Sequence, residues 1–255
     1  MQDGFSRSLI GALILCAFAS AGCRSQPPTA GTPIGPDKTQ LVTVITEAWN
    51  RFPAVLRRYE RAPGASWRPV GAPIDVVIGR EGYAWGRGLH GQETPPGRAG
   101  PIKREGDGRS PAGVFGIGTT YGYDATRADL ALPYVQATPA LRCVDDPKSR
   151  HYNRVVSTAD TVVDWNSAEH MRRQDELYAI AIVVEHNAPQ TEPGAGSCIF
   201  MHVWRGPDSG MTGCTAMPLG ELETLADWLK PNVAVLVALP RGEYDALRGP
   251  WQLPR

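Results

Sequence analysis

Apolar residues recur in this chain either at every second position or in short unbroken runs, the signature of strands that are half or wholly buried. Residues 41–49 (LVTVITEAW) are rich in β-branched side chains, and residues 54–60 set Val55, Arg57 and Tyr59 against Leu56, Arg58 and Glu60. Pro53 breaks any helix between them. Residues 67–70 and 74–78 continue the β pattern, punctuated by Pro69, Gly71 and Pro73 and closed by Gly79. The first third thus predicts an antiparallel meander. Further core strands are predicted at 114–117, 177–185, 199–204 and 233–239. Helical spacing is rarer. Leu219, Leu222, Leu225, Ala226 and Leu229 form one apolar face behind Pro218 and before Pro231, while Asn166, Ser167 and Glu169 supply a cap and first turn for a short helix through Arg173. The fold class that follows is mainly β, a β-rich α+β sandwich or meander with a few short helices.

Between these elements, residues 81–109 are rich in glycine and proline and predict a long loop over the sheet; His90 lies in it as a solvated histidine or, less simply, a site residue. At the N-terminus, Arg7 precedes an apolar stretch, residues 9–21, of signal-peptide length, ending in Ser20, Ala21, Gly22 and Cys23. That ending resembles a bacterial lipoprotein cleavage site, with Cys23 as the lipidated residue; cleavage without lipidation and retention as an anchor are the alternatives. Residues 24–39 (RSQPPTAGTPIGPDKT) read as a tether of about 50 Å at full extension, or simply as a disordered N-terminus. The organisation expected is a leader at 1–22, a tether at 23–39 and one domain at 40–255, in an exported protein, periplasmic or at the cell surface. With 26 basic and 26 acidic residues there is no net charge to attract nucleic acid.

The candidate chemistry lies in residues 197–217 (SCIFMHVWRGPDSGMTGCTAM). His202 falls near the end of a strand that Gly206 and Pro207 terminate. Asp208, Ser209, Gly210, Thr212 and Gly213 are turn formers that can bring Cys214 back beside it. A free thiol, with a pKa of about 8.5, is mostly protonated at neutral pH, and a neighbouring imidazole can take its proton. Cys214 is then the nucleophile and His202 the base. Gly213 allows a sharp turn, so that the amides around Thr212, Gly213 and Cys214 face a developing oxyanion. A helix starting at Pro218 would favour the thiolate through its N-terminal partial charge. In an ideal strand Cys198 shares a face with His202, so Cys198 is the alternative partner, and Cys198, His202, Cys214 and His186 together allow a zinc reading. His186 closes the 177–185 strand, either bordering the cleft or lying on the surface.

His202 followed by Thr212-Gly213-Cys214 resembles the signature of the L,D-transpeptidase catalytic domain (YkuD-type). The likeness extends to EGDGRSPAGVFGIG at 105–118 and AIVVEHN at 181–187, and covers roughly 41–239. Many members carry arginine two residues after the cysteine; here that position is Ala216, leaving Arg205 and Arg109 as substitutes for holding a substrate carboxylate. The resemblance implies a cofactor-free cysteine acyltransferase whose partners are peptidoglycan stem peptides and, through an N-terminal lipid, a membrane. An L,D-carboxypeptidase would use the same residues. A non-catalytic wall-binding lipoprotein and a secreted thiol peptidase are the rivals.

Once Cys16 leaves with the leader, four cysteines remain. In an oxidising compartment the simplest assignment is a lipid on Cys23, a disulfide between Cys143 and Cys198, and a free Cys214; two buried free thiols are the alternative to the disulfide.

Overall fold

The described strands, in chain order, are β1 (Gln40–Thr46), β2 (Pro53–Glu60), β3 (Arg68–Val77), β4 (Tyr83–Trp85), β5 (Ser110–Gly122), β6 (Tyr134–Gln136), β7 (Leu141–Val144), β8 (Val155–Ser157), β9 (Ala168–His170), β10 (Ile180–Val184), β11 (Phe200–Val203), β12 (Thr215–Met217) and β13 (Ala234–Pro240). Helices α1 (Leu219–Trp228) and α2 (Arg241–Leu247) follow β12 and β13 respectively. These elements belong to a computed structural model in which Met1 and residues 31–255 are described. The expected leader, Cys16 and the lipidation site at Cys23 lie outside the described residues.

All seven residues of β1 are buried, as an unbroken run of apolar and β-branched residues requires. It pairs antiparallel with β2 and parallel with β13. From there the hydrogen-bonded order is β10-β11-β12-β3-β2-β1-β13-β5, and β5 pairs again with β10. Eight strands therefore close into a barrel. The mainly β class stands, but the expected sandwich does not, because the sheet has no pair of open edges to separate two layers. The thirteen-residue β5 makes the closure possible: it pairs with β13 over Gly113–Gly116 and with β10 over Ile117–Gly122. Its glycines allow close crossings. A Cβ on Gly113, at φ 141°, would lie 2.0 Å from the His90 ring, and one on Gly116 2.0 Å from Glu185 Oε2.

Residues 68–77 form one strand rather than two. Opposite it, a register shift between Leu56 and Arg58 lets Leu56 and Tyr59, an odd number of positions apart, both be buried. The expected loop at 81–109 contains β4, whose Tyr83, Ala84 and Trp85 are all buried. His90 is not solvated: its Nδ1 accepts the Val114 N–H at 3.1 Å, and its ring packs near Trp85, Phe115 and Trp251. The helix expected from Asn166 is instead strand β9, because the Asn166 amide donates to Asp146 and Ala168–His170 pairs with β7. The three strands β8-β7-β9 form a small separate sheet. With the 3₁₀ turn Glu176–Tyr178 they belong to one excursion between β6 and β10.

Two apolar clusters result. One fills the barrel and takes in Leu222, Leu225, Ala226 and Leu229 of α1 and Tyr244, Leu247, Trp251 and Leu253 of the C-terminal segment. The other contains Ala137, Cys143, Met171 and Tyr178 from the excursion, with Ala181, Cys198, Phe200 and Cys214. The compact unit starts at Gly31 rather than at residue 40. Ile34 is 2 % exposed in the barrel core, Thr32 Oγ donates to Trp251 O, and Arg61 donates to Gly35 O and Lys38 O. Residues 31–39 are thus docked, not tethering. Ile34→Ala is expected to cost about 2–4 kcal/mol in urea unfolding, whereas a tether residue would cost nothing measurable.

Candidate active site

Strands β11 and β12 run parallel, with His202 opposite Ala216 and Met201 opposite Thr215. Partners in a parallel pair share a face, and faces alternate along each strand. Met201 and Met217 accordingly enter the barrel core, while Phe200, His202 and, one step before β12, Cys214 lie on the outer face under the excursion. The sequence-predicted pair is thereby brought to one side of two adjacent strands.

The loop that carries Cys214 is tied down along its length. Arg80 donates to Met211 O at 2.7 Å and Met211 to Ile78 O at 2.8 Å, extending the edge of β3. Ser110 Oγ accepts from the Gly79 amide at 2.9 Å and donates to Gly213 O at 2.6 Å. Gly210 is required by packing, since a Cβ would meet the Arg80 Cα at 2.8 Å. Gly213 has no positive φ, and a Cβ there would press on Ile199 Cδ1 at 3.2 Å and Arg109 O at 3.3 Å. The described hydrogen bonds use none of the Thr212, Gly213 and Cys214 amides, which leaves these donors open.

Cys214 is 4 % exposed and free, and its Sγ accepts the Phe200 amide at 3.3 Å. Burial first, and then the nearby Glu169 carboxylate, push its thiol pKa well above the ordinary range; the Phe200 amide, Lys103 and Tyr178 oppose this by less. The expected help from α1 is absent. The whole of β12 and Pro218, the helix N-cap, intervene between Cys214 and Leu219, and a helix end acts only over about its first turn. His202 is also buried, which lowers its pKa to about 4. Its Nδ1 lies 2.7 Å from Val203 O, a contact that requires a proton on Nδ1 and so leaves Nε2 as a bare acceptor. No hydrogen bond joins His202 to Cys214. Both are neutral in the free protein.

Over this pair opens a cleft of about 290 Å³, lined by Glu169, Arg173, Leu177 and Tyr178 on the excursion side and by Arg205 and residues 209–212 on the other. Asp175 lies between the two arginines. Arg173 meets it through two bonds, at 2.7 and 3.0 Å, and Arg205 reaches it at 3.5 Å. The Arg173 bonds hold the Asp175 pKa at about 2. Tyr178 donates its hydroxyl to Glu169 and packs edge-on against His202, with ring centroids 5.1 Å apart.

Other sequence candidates fall elsewhere. Cys143 and Cys198 form a disulfide, which removes Cys198 as a partner of His202 and as a zinc ligand. Among the described residues no three His, Cys, Asp or Glu side chains are grouped to hold a metal. His186 does not line the cleft. Its Nδ1 accepts the Arg87 amide at 3.3 Å, its Nε2 donates to Ala195 O at 3.0 Å, and burial lowers its pKa to about 3. The Arg109 side chain donates to Trp49 O and Tyr83 O, so it braces the loops behind the site instead of facing the cleft. Arg205 does face it. Sequence reading missed Arg173, Glu169 and Tyr178, which belong to no motif and come to the cleft through the folding of the excursion.

No family model matches the chain, and no curated protein does. Among solved structures, that of Bd1075 from Bdellovibrio bacteriovorus aligns with a TM-score of 0.40 and 14% identity, over 88% of this chain and 59% of that one. The chain therefore spans less than two thirds of that protein, and a likeness of this degree assigns neither family nor activity.

The two buried histidines set an acid limit on stability. Unfolded histidine takes up a proton through pH of about 6.5, whereas folded His202 and His186 resist until about 4 and 3. Unfolding therefore takes up protons in that window. Their contribution to stability is complete above about pH 6.5 and is lost as pH falls, at about 1.4 kcal/mol per pH unit for each histidine. Urea unfolding at pH 7, 6 and 5 should show this slope, and His186→Gln should reduce it by one histidine's share.

Proposed function

We propose that this chain is a cysteine-dependent acyltransferase of the L,D-transpeptidase type, acting on peptidoglycan stem peptides in cell-wall crosslinking. The observation that carries this reading is the free Cys214 beside His202 on one face of β11 and β12, at the floor of a cleft, with Nδ1 of the histidine already engaged. Cys214 attacks the carbonyl of the diamino acid in a donor tetrapeptide, forming a C–S bond. His202 Nε2 takes the thiol proton and returns it to the departing D-alanine amine. An amine of a second stem then resolves the thioester. The open amides at Gly213 and Cys214 receive the oxyanion of each tetrahedral intermediate.

The arginine pair supports a substrate bearing carboxylates. Arg173 is held by Asp175 through two short bonds, whereas Arg205 reaches Asp175 only at 3.5 Å and is largely exposed, so its guanidinium is the group at the rim that can receive an anion. Arg205 takes the role that Ala216 cannot. Export accords with the Cys143–Cys198 disulfide, which needs an oxidising compartment, and no helix among the described residues is long and apolar enough to cross a membrane. Anchoring through a lipid on Cys23 completes this reading, with the domain at the periplasmic or cell surface. Hydrolysis of the thioester by water would make the same site an L,D-carboxypeptidase.

One observation favours a different reading, a non-catalytic wall-binding protein: in the free chain Cys214 is buried and held as the thiol. Incubation with disaccharide tetrapeptide, followed by mass spectrometry of the products, separates the three. A crosslinked dimer with loss of D-alanine, absent with Cys214→Ala and His202→Ala, is the expected result. Tripeptide alone means a carboxypeptidase, and unchanged substrate with intact Cys214 points to binding only. In the active case Arg205→Ala should raise KM for the tetrapeptide about tenfold, the loss of one charge-assisted contact, and change kcat little.

A further inference from the structure

Tyr178 shares one buried cluster with Phe200 and Cys214 and lines the same cleft, and among the described hydrogen bonds the Cys214 sulfur meets the Phe200 amide and Cys198 O but not His202. Tyr178 ends the 3₁₀ turn, is 5 % exposed, and is wedged between Phe200 and His202, with ring centroids 5.6 and 5.1 Å away. Its hydroxyl donates to Glu169 of β9. A tyrosine hydroxyl has one hydrogen to give. Glu169 and a sulfur anion would therefore compete for it.

We propose that Tyr178 is a catalytic residue that gives its hydroxyl hydrogen bond to the Cys214 sulfur as the thiolate forms, and that Glu169 is a positioning residue that aims this hydroxyl and competes for it. The proposal rests on Cys214 being the nucleophile. In the resting arrangement the Tyr178 O–H points to Glu169 Oε2 and the sulfur keeps its hydrogen. On ionisation the S–H bond breaks, its electron pair stays on sulfur and its proton passes to His202 Nε2. The Tyr178 O–H turns from Glu169 to the sulfur, and Tyr178 neither gains nor loses a proton.

The charges around the sulfur make this competition matter. From the excursion come Glu169, Tyr178 and Arg173, the last paired with Asp175; from β11 comes neutral His202. Lys103, before β5, spends its ammonium on Asp107 and on Arg104 O. Arg205 is drawn toward Asp175. Among the described residues, the cations near the sulfur already meet a carboxylate, so neutral donors are left for that work, the Phe200 amide in place and the Tyr178 hydroxyl beside it, and the Glu169 carboxylate is the principal group acting against them.

The two residues should therefore act in opposite directions. In the full-length protein, iodoacetamide labelling of the Cys214 peptide is followed by mass spectrometry across pH 6–10. At pH 8, Tyr178→Phe should slow labelling about tenfold, one unit of thiol pKa, and Glu169→Gln should speed it by about as much. Phenylalanine keeps the ring packing and glutamine keeps the volume, and the intact Cys143–Cys198 bond, read in the same spectra, reports folding. A merely structural role would move both variants the same way or neither, and either result overturns the proposal. Tetrapeptide turnover by the wild type is measured alongside. Opposite labelling shifts without turnover would remove the transpeptidase reading and leave this inference standing; turnover without opposite shifts would do the reverse.

Discussion

The register of β11 on β12 is the constraint from which the site follows. In a parallel pair the partners look the same way, so fixing Met201 against Thr215 sends Met201 and Met217 into the barrel and leaves His202 and Cys214 outside it. A slip by one residue would exchange the two sets and put an imidazole into the core. Apolar burial inside the barrel, Met201 and Met217 included, thus enforces the polar geometry outside it.

What covers the site is a second layer with its own attachments. The excursion between β6 and β10 brings its small sheet and the 3₁₀ turn over Cys214, and one covalent bond, Cys143–Cys198, ties it to the chain just before β11. The cover changes the chemistry of what lies beneath. Burial drives the thiol and the imidazole in opposite directions, so neither bears a charge at rest. Two arginines, by contrast, stay at the rim, where water and Asp175 solvate them. The cleft thus sets an uncharged cysteine and histidine at its floor and two arginines at its edge.

Much of this was readable from residue patterns, and the exceptions have physical reasons. Strands β1, β2, β10, β11 and β13 and helix α1 announce themselves because their side chains are chosen by local burial on a regular period. Closure into a barrel leaves no such mark: it depends on β5 pairing at both ends, and the need for Gly113 and Gly116 appears only in the close approach of His90 and Glu185. Asn166, Ser167 and Glu169 mimic a helix start, yet Asp146, twenty positions earlier, takes the Asn166 amide and the segment joins β7. At the site, Cys214 and His202 stand out as a chemical pair in sequence. Tyr178 and Glu169 do not, because a tyrosine and a glutamate nine residues apart acquire meaning only when the fold sets them beside the sulfur.

The pairing of β1 with β13 bears on when the molecule can exist at all. Gln40 sits beside Ala234 and Thr46 beside Pro240, so β1 cannot complete its pairing until β13 has been synthesised. A ribosome-bound fragment can form the β1–β2–β3 meander, but it leaves one edge of β1 unpaired and its apolar side chains uncovered. Closure of the barrel therefore waits for β13, a contact of long sequence separation that forms late and slowly. Until β13 arrives the chain can hold at most an open sheet, whose inner face has no opposite wall to meet.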